Sequence, residues 1–269
     1  MKIITSIFDL NKEIKDYKNI GFVPTMGGIH AGHISLIKAS QNKNNKTIVS
    51  IFVNPTQFNK EDDFKKYPRN IQKDIAILRK LNVEYLFTPN TKDIYKFNAK
   101  KFNLKNKDKI LCAKYRIAHF EGVLNVMNRL LTIIKSKDLY MGEKDYQQLY
   151  LIKKFLSKKF KVRINSCPTI RINNIALSTR NKLLKKKSIK KASEIALFLK
   201  KVKYKSKFEG TKLASDLHNY KLKLDKKYNI KVDYLEFRDE KNLKLNNFNN
   251  KYRLFVAYEI DNIRLIDNY

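Results

Sequence analysis

The 269-residue chain contains no tryptophan, two cysteines, five prolines and seven glycines. Cys112 and Cys167 stand far apart, with no C-x-x-C pair. This excludes a disulfide framework and a cysteine zinc site, and it fits a reducing cytosol. Each thiol reads as a small buried hydrophobe. Scarce glycine and proline agree with the absence of any low-complexity linker. Long apolar runs are missing too. The opening MKIITSIF is cut off by Asp9 and Asn11 before it reaches the length of a signal peptide, and no later run is long enough to cross a bilayer. A soluble cytoplasmic protein is expected. Acidic residues are few, 25 against 58 lysines and arginines, for a formal charge of +33. Such an excess raises the question of a nucleic-acid or membrane partner. The lysines, however, are spread along the chain among Asn, Ile, Tyr and Phe, all types with A/T-rich codons, so composition accounts for them better than a dedicated patch. Neither nucleic acid nor membrane is an expected partner.

What is present is a 43% apolar content, that of a globular protein with a substantial core. Hydrophobic periodicity predicts strands at Asn19–Pro24, Lys46–Val53, Val83–Phe87, Asp138–Met141 and Phe160–Asn165. Helices are predicted at Gly32–Asn42, Arg69–Leu81, Phe120–Ile134 and Asp145–Leu156. A loop from Asn54 to Pro68 and a poorly patterned lysine-rich stretch after Phe87 interrupt them. Alternating strands and helices imply an α/β fold, a doubly wound parallel sheet whose ligands sit at the carboxyl ends of the strands beside a switch in strand order. Beyond Cys167 the pattern changes to two lysine-rich helices, Leu183–Lys203 and Gly210–Tyr228, then strands at Ile230–Arg238, Tyr252–Glu259 and Ile263–Ile266, expected to be antiparallel. The chain therefore divides into a domain at 1–167 and a smaller α+β domain at 168–269.

The stretch FVPTMGGIHAGHISLI, Phe22 to Ile37, organises the rest. A buried strand ends at Pro24, Gly27 and Gly28 allow close backbone approach to an anion, and N–H groups at the start of the next helix point at it. His30 and His33, one helical turn apart, present their rings on one face. Further clusters fall at predicted strand ends. Asn54 and Gln57 in FVNPTQF offer amides that hold hydroxyls or carboxylates without adding charge. Tyr67-Pro68-Arg69 precedes Asp74, which reads as a supporting residue, an indirect magnesium ligand, or a carboxylate satisfying the helix dipole. Arg116 to Val123 opens a helix. In GEKDYQQL, Lys144 sits at a helix start where it can neutralise charge on a transferring phosphoryl group. LSTRN, Leu177 to Asn181, supplies two hydroxyls and an arginine able to grip phosphate oxygens.

Together PTMGGIHAGH, FVNPTQF, YPRN, HFEGV, MGEKDYQQL and LSTRN closely resemble the pantoate–beta-alanine ligase family, within the HxGH nucleotidyltransferase superfamily. DYLEFRDEKNL and RLIDN extend the resemblance over nearly the whole chain. It departs from the family at Ser178-Thr179, where two serines are usual, and at a shortened Asn173-Asn174 turn. The resemblance implies a Rossmann-like nucleotide- and pantoate-binding domain with a C-terminal lid, commonly a homodimer. It also implies a reaction in which pantoate attacks the α-phosphate of ATP, accompanied by Mg2+, before beta-alanine displaces AMP. By resemblance, His33, His30 and Lys144 carry the catalysis. ATP falls to Met26, Gly27, Gly28, Ile29, His30, Ala31, Gly32 and His33, to Gly142, Glu143, Lys144 and Asp145, and to Ile170, Leu177, Ser178, Thr179 and Arg180. Gln57 and Gln148 fall to pantoate, and no residue is assigned as a metal ligand. Arg116, His119 and Asn54 would line the pocket.

Overall fold

The computed structural model describes all residues except 60, 66, 97–100 and 246–247, together with the side chains of 62 and 63. Parts of the loop from Asn54 to Pro68 and of the lysine-rich stretch after Phe87 thus lie outside the described residues. Eleven strands occur among the rest: β1 (Lys2–Ile4), β2 (Ile20–Thr25), β3 (Lys46–Ile51), β4 (Tyr85–Phe87), β5 (Asp138–Gly142), β6 (Arg163–Cys167), β7 (Arg171–Ile172), β8 (Ile175–Ala176), β9 (Lys231–Asp239), β10 (Tyr252–Ile260) and β11 (Ile263–Asn268). The chain forms two compact units. One holds Met1–Glu143 and Gln148–Pro168, the other Lys144–Gln147 and Thr169–Tyr269.

In the first unit, β1 to β6 form one sheet in the order β1-β4-β3-β2-β5-β6, every pair parallel. The chain moves outward one way through β2, β3 and β4 and the other way through β5 and β6, so the order switches between β2 and β5. IGFVPT and KTIVSI are nearly continuous apolar runs because these central strands are covered on both faces. Val23, Val49 and Leu86 pack with Leu36, Ile37 and Leu78 of the helices Ala31–Gln41 and Ile71–Lys80. Pairing of β2 with β5 stops at Phe22↔Leu139, whereas pairing with β3 continues to Thr25↔Ile51. Pro24, which has no N–H to donate, therefore stands where β2 has already left β5. Sheets of this kind bind ligands outside the carboxyl ends of the strands at such a switch in strand order. Strand β1 and the helix Ile7–Ile14, started by Ser6 accepting from Asp9 N–H, are elements that periodicity did not reveal. The helix expected at Asp145–Leu156 is α-helical over Tyr146–Ile152 and continues as a π-helical turn at Lys153–Ser157.

In the second unit, β11-β10-β9 form an antiparallel sheet, as expected, and β7 and β8 form a small hairpin. The two expected lysine-rich helices occupy Lys186–Tyr228 as the two arms of one helical segment, separated at Gly210, whose φ of 46° and ψ of −119° are not helical. Ile195, Leu199, Leu213 and Leu224 of that helix pack with Val232, Phe237, Leu254 and Val256 of the sheet to form this unit's core. No helix among the described residues is long and apolar enough to cross a membrane.

Candidate active site

The site grows from the chain that leaves β2. Gly27 and Gly28 adopt φ values of 82° and 65°, left-handed conformations that glycine enters at little cost. The turn is fully bonded from behind. Gly27 N–H donates to Thr25 Oγ1 at 3.1 Å, and that hydroxyl donates to Ser50 O at 2.8 Å. Gly28 N–H and Ile29 N–H donate to Oδ2 and Oδ1 of Asp74, each at 2.8 Å. Asp74 is 3% exposed. Both of its carboxylate oxygens are thus given to the glycine turn.

His30 has extended backbone and caps the helix Ala31–Gln41, its Nδ1 accepting from Gly32 N–H at 3.1 Å. An accepting Nδ1 places the proton of the neutral ring on Nε2. The His30 and His33 rings stack with centroids 4.0 Å apart and planes inclined by 23°. The H-x-x-H spacing thus does what it predicted and brings two imidazoles to one face.

The loop after β3 meets this turn. Asn54 caps the single 3-10 turn Pro55–Gln57 and is almost fully buried. Its amide donates to Gln57 Oε1 and to Gly122 O, both at 3.2 Å, while Gln57 Nε2 donates to Met26 Sδ at 2.9 Å. His119 Nδ1 lies 2.7 Å from Gln57 O, and Arg116 Nη1 lies 2.8 Å from His119 Nε2. A carbonyl and a guanidinium settle the tautomer: Nδ1 donates and Nε2 accepts, so His119 is neutral here. The backbones approach closely enough that a Cβ on Gly122 would stand 2.7 Å from the Thr56 carbonyl carbon. The structure therefore unites Met26, Asn54, Gln57, Arg116 and His119 from three separate stretches of sequence. It adds Tyr95, which sequence reasoning missed. Tyr95 OH donates to Asn54 Oδ1 at 2.7 Å, the Arg129 guanidinium covers its ring at 4.7 Å, and burial pushes its hydroxyl pKa up. Only a helix start at Asn90, capping Asp93 N–H, signals that this stretch is ordered.

Gly142 and Glu143 stand at the end of β5, across the switch point from β2, and a Cβ on Gly142 would meet nothing within 4 Å. Burial, reinforced by the charge of Glu143, raises the pKa of the nearby Cys167 thiol, which is consistent with an inert buried cysteine. Gln148 lies half-buried on the helix Tyr146–Ile152.

Lys144 and Asp145 belong to the second unit, where Lys144 Nζ lies 3.4 Å from Asp145 Oδ1 and Asn268 Nδ2 donates to Lys144 O at 3.1 Å. Asn173 and Asn174, both left-handed, make the two-residue turn of the β7–β8 hairpin. The hairpin continues through Leu177 N–H donating to Ile170 O at 2.9 Å, which sets these two predicted residues side by side. Arg171 anchors it, its guanidinium donating to both oxygens of Asp267 at 2.6 and 2.8 Å. Ser178 accepts from Arg180 N–H, and Asn181 accepts from Ser178 N–H, a capping box that starts the turn Thr179–Leu183. Thr179 is buried there, so its extra methyl is accommodated within the unit.

Comparison with known proteins follows this geometry. The family model described as pantoate-beta-alanine ligase matches residues 2–269. The chain is similar to the pantothenate synthetase of Flavobacterium psychrophilum, 39% identical over 95% of this chain and 93% of that one. It is likewise similar to that of Francisella tularensis subsp. novicida, 42% identical over 96% and 92%. Among solved structures, pantothenate synthetase from Thermus thermophilus superposes with a TM-score of 0.92 at 29% identity, covering 100% of this chain and 99% of that one. Pantoate-beta-alanine ligase from Francisella tularensis, complexed with beta-gamma ATP and beta-alanine, superposes with a TM-score of 0.85 at 40% identity, covering 100% and 97%. The chain belongs to the pantoate-beta-alanine ligase family.

Proposed function

We propose that this ligase joins pantoate to beta-alanine in two steps at the parted ends of β2 and β5. A pantoate carboxylate oxygen attacks the α-phosphorus of ATP, and the bond to pyrophosphate breaks. The amine of beta-alanine then attacks the acyl carbon of the pantoyl adenylate, AMP leaves, and the nitrogen sheds a proton to solvent. The observation that carries this reading is that one glycine turn joins the stacked His30 and His33 to Met26, which the Gln57 amide reaches. Cationic or N–H-donating imidazoles suit a triphosphate, and a neutral amide suits a hydroxy acid.

In this reading Met26 to His33 hold ATP, and His33 and His30 stabilise charge on the phosphates, His30 through the Nε2–H that its capping bond leaves protonated. Gly142, Glu143, Lys144, Asp145, Ile170 and Leu177 to Arg180 contact the nucleotide, Lys144 neutralising the group in transfer. Gln57 and Gln148 hold pantoate, and the second unit serves as the lid. Nearly all of the rate gain then comes from alignment and electrostatics, because no protein atom becomes bonded to substrate. Magnesium enters as part of the MgATP substrate. Asp74 has both oxygens committed to backbone N–H groups, and no group of three or more His, Cys, Asp and Glu residues suited to a metal occurs among the described residues. An ion held by phosphate oxygens and water suits these surroundings, since Mg2+ commonly keeps several waters and binds through few protein ligands. The enzyme acts in the cytoplasm as a homodimer in this proposal. The test is incubation of purified protein with MgATP, pantoate and beta-alanine. Pantothenate, AMP and pyrophosphate should form in equal amounts. Pyrophosphate release that requires a phosphorylated alcohol in place of pantoate would overturn the assignment.

A further inference from the structure

The glycine turn at the end of β2 carries an anion already, and it belongs to the protein. Successive N–H groups of a turn can point into one concavity, the form of a backbone anion nest. Here Gly27 and Gly28 are the left-handed pair, and the concavity faces the helix Ile71–Lys80. Asp74, in the first turn of that helix, fills it with one oxygen on Gly28 N–H and the other on Ile29 N–H. The seat is built to measure. A Cβ on Gly27 would stand 3.0 Å from Asp74 Oδ2 and 3.3 Å from Ile51 Cγ2, so only glycine lets the carboxylate in. The side chain of Ile29 is buried in the same core as Leu78, which lies one helical turn after Asp74. The turn is thus clamped through its backbone and through its apolar side chain by one helix.

We infer that Asp74 is the positioning residue of the adenylation step: its carboxylate, seated in the glycine turn, fixes the distance between Met26 beside Gln57 and the His30–His33 pair. This deepens the ligase reading and rests on it. Met26 precedes the clamped residues and His30 follows them directly, so any rotation of the Gly28–Ile29 peptide planes swings one end of the site against the other. An asparagine cannot substitute, because its amide nitrogen would face an N–H donor where an oxygen now accepts.

The test uses Asp74→Asn and Asp74→Ala with pyrophosphate release from MgATP, pantoate and beta-alanine as the activity readout. A second readout is the amide signals of Gly28 and Ile29 in 15N-labelled protein. Asp74→Asn is expected to lower kcat by roughly 30-fold or more while the KM for beta-alanine stays within about twofold, the pattern of lost alignment. In Asp74→Ala the emptied nest should accept added formate and recover roughly fivefold or more of the lost rate, a response that a general loss of folding does not give. In the unaltered protein the Gly28 and Ile29 amides should lie downfield and exchange slowly, as N–H groups bonded to a buried carboxylate do. Wild-type turnover in Asp74→Asn, or absence of formate recovery in a folded Asp74→Ala, would overturn the proposal. So would fast-exchanging, unshifted Gly28 and Ile29 amides in the unaltered protein, a result that needs no variant to fold. Failure of the unaltered enzyme to release pyrophosphate, with both amides shifted and protected, would instead overturn the ligase reading and leave the clamp standing.

Discussion

The parallel sheet buries a carboxylate near each end, and the two are satisfied in opposite ways. At the carboxyl end Asp74 takes backbone N–H groups of a single turn. At the amino end Asp138, fully buried, takes side chains from β6 and from the loop before β3: Arg163 Nε at 3.0 Å and Nη2 at 2.7 Å, Asn165 Nδ2 at 2.9 Å and Asn44 Nδ2 at 2.9 Å, with Lys43 3.5 Å away. Tyr140 OH completes that network by donating to Asn44 Oδ1 at 2.6 Å. Burial alone would push the Asp138 pKa up, but the hydrogen bonds from Arg163, Asn165 and Asn44 and the Arg163 charge outweigh it and hold the carboxyl well below its usual range. A carboxylate paired with side chains ties two strands and a loop together. One paired with a turn gives a loop its shape. The first arrangement serves stability, and only the second lies at the end where ligands bind in sheets of this kind.

The largest effect that would break this division is expected from His33→Ala. Turnover should fall roughly 100-fold or more, as when a transition-state donor is removed, with the thermal midpoint nearly unchanged. Retained turnover would mean that chemistry does not reside at the carboxyl end. Asp138→Asn tests the other end, and should lower unfolding stability by about 2 kcal/mol in denaturant titration while kcat stays within about twofold. Half-exposure of Arg163 keeps that figure modest, because solvent rehydrates the abandoned cation.

The pH dependence sharpens the same contrast. Asp138 has a lower pKa folded than unfolded, so its stabilisation is fully present above the unfolded value of about 4 and is lost as the pH falls from there toward the folded value. The stability difference between the unaltered protein and Asp138→Asn should therefore shrink below about pH 4. A difference that persisted unchanged into acid would place the stabilisation outside this carboxyl. The smallest effect is expected from His119→Ala, which frees the Gln57 carbonyl without touching the glycine turn. It should raise the KM for pantoate by about tenfold and leave that for ATP within about twofold. An equal rise for both substrates would merge the amide loop with the nucleotide turn.

Much of this arrangement was legible in the chain. Hydrophobic patterning marked β2 and β3 as buried strands of a parallel sheet, and the H-x-x-H spacing marked two rings on one helix face. Asn173-Asn174 is a strong hairpin signal once both residues are known to be left-handed. The illegible parts are those made by long-range pairing. Asp74 stands 46 residues from Gly28, and no periodicity connects a helix carboxylate to a distant turn. The same holds for His119 and Gln57, 62 residues apart. Strand β1, three residues with only one buried, is too short to show alternation, and owes its place to pairing with β4. The grouping of Lys144–Gln147 with the second unit was hidden because GEKDYQQL reads locally as an ordinary strand, turn and helix.

Gly122 also acts as a gauge. The helix His119–Ile134 and the turn Pro55–Gln57 meet backbone to backbone there, since a Cβ on residue 122 would lie within 3.0 Å of Gln57 Cα and nearer still to the Thr56 carbonyl. A missing atom therefore sets the depth at which the Gln57 amide sits. Adding a single methyl group at that point would push the turn Pro55–Gln57 away from the helix without changing the chemistry of any side chain, so the spacing of two backbones hangs on the absence of one atom.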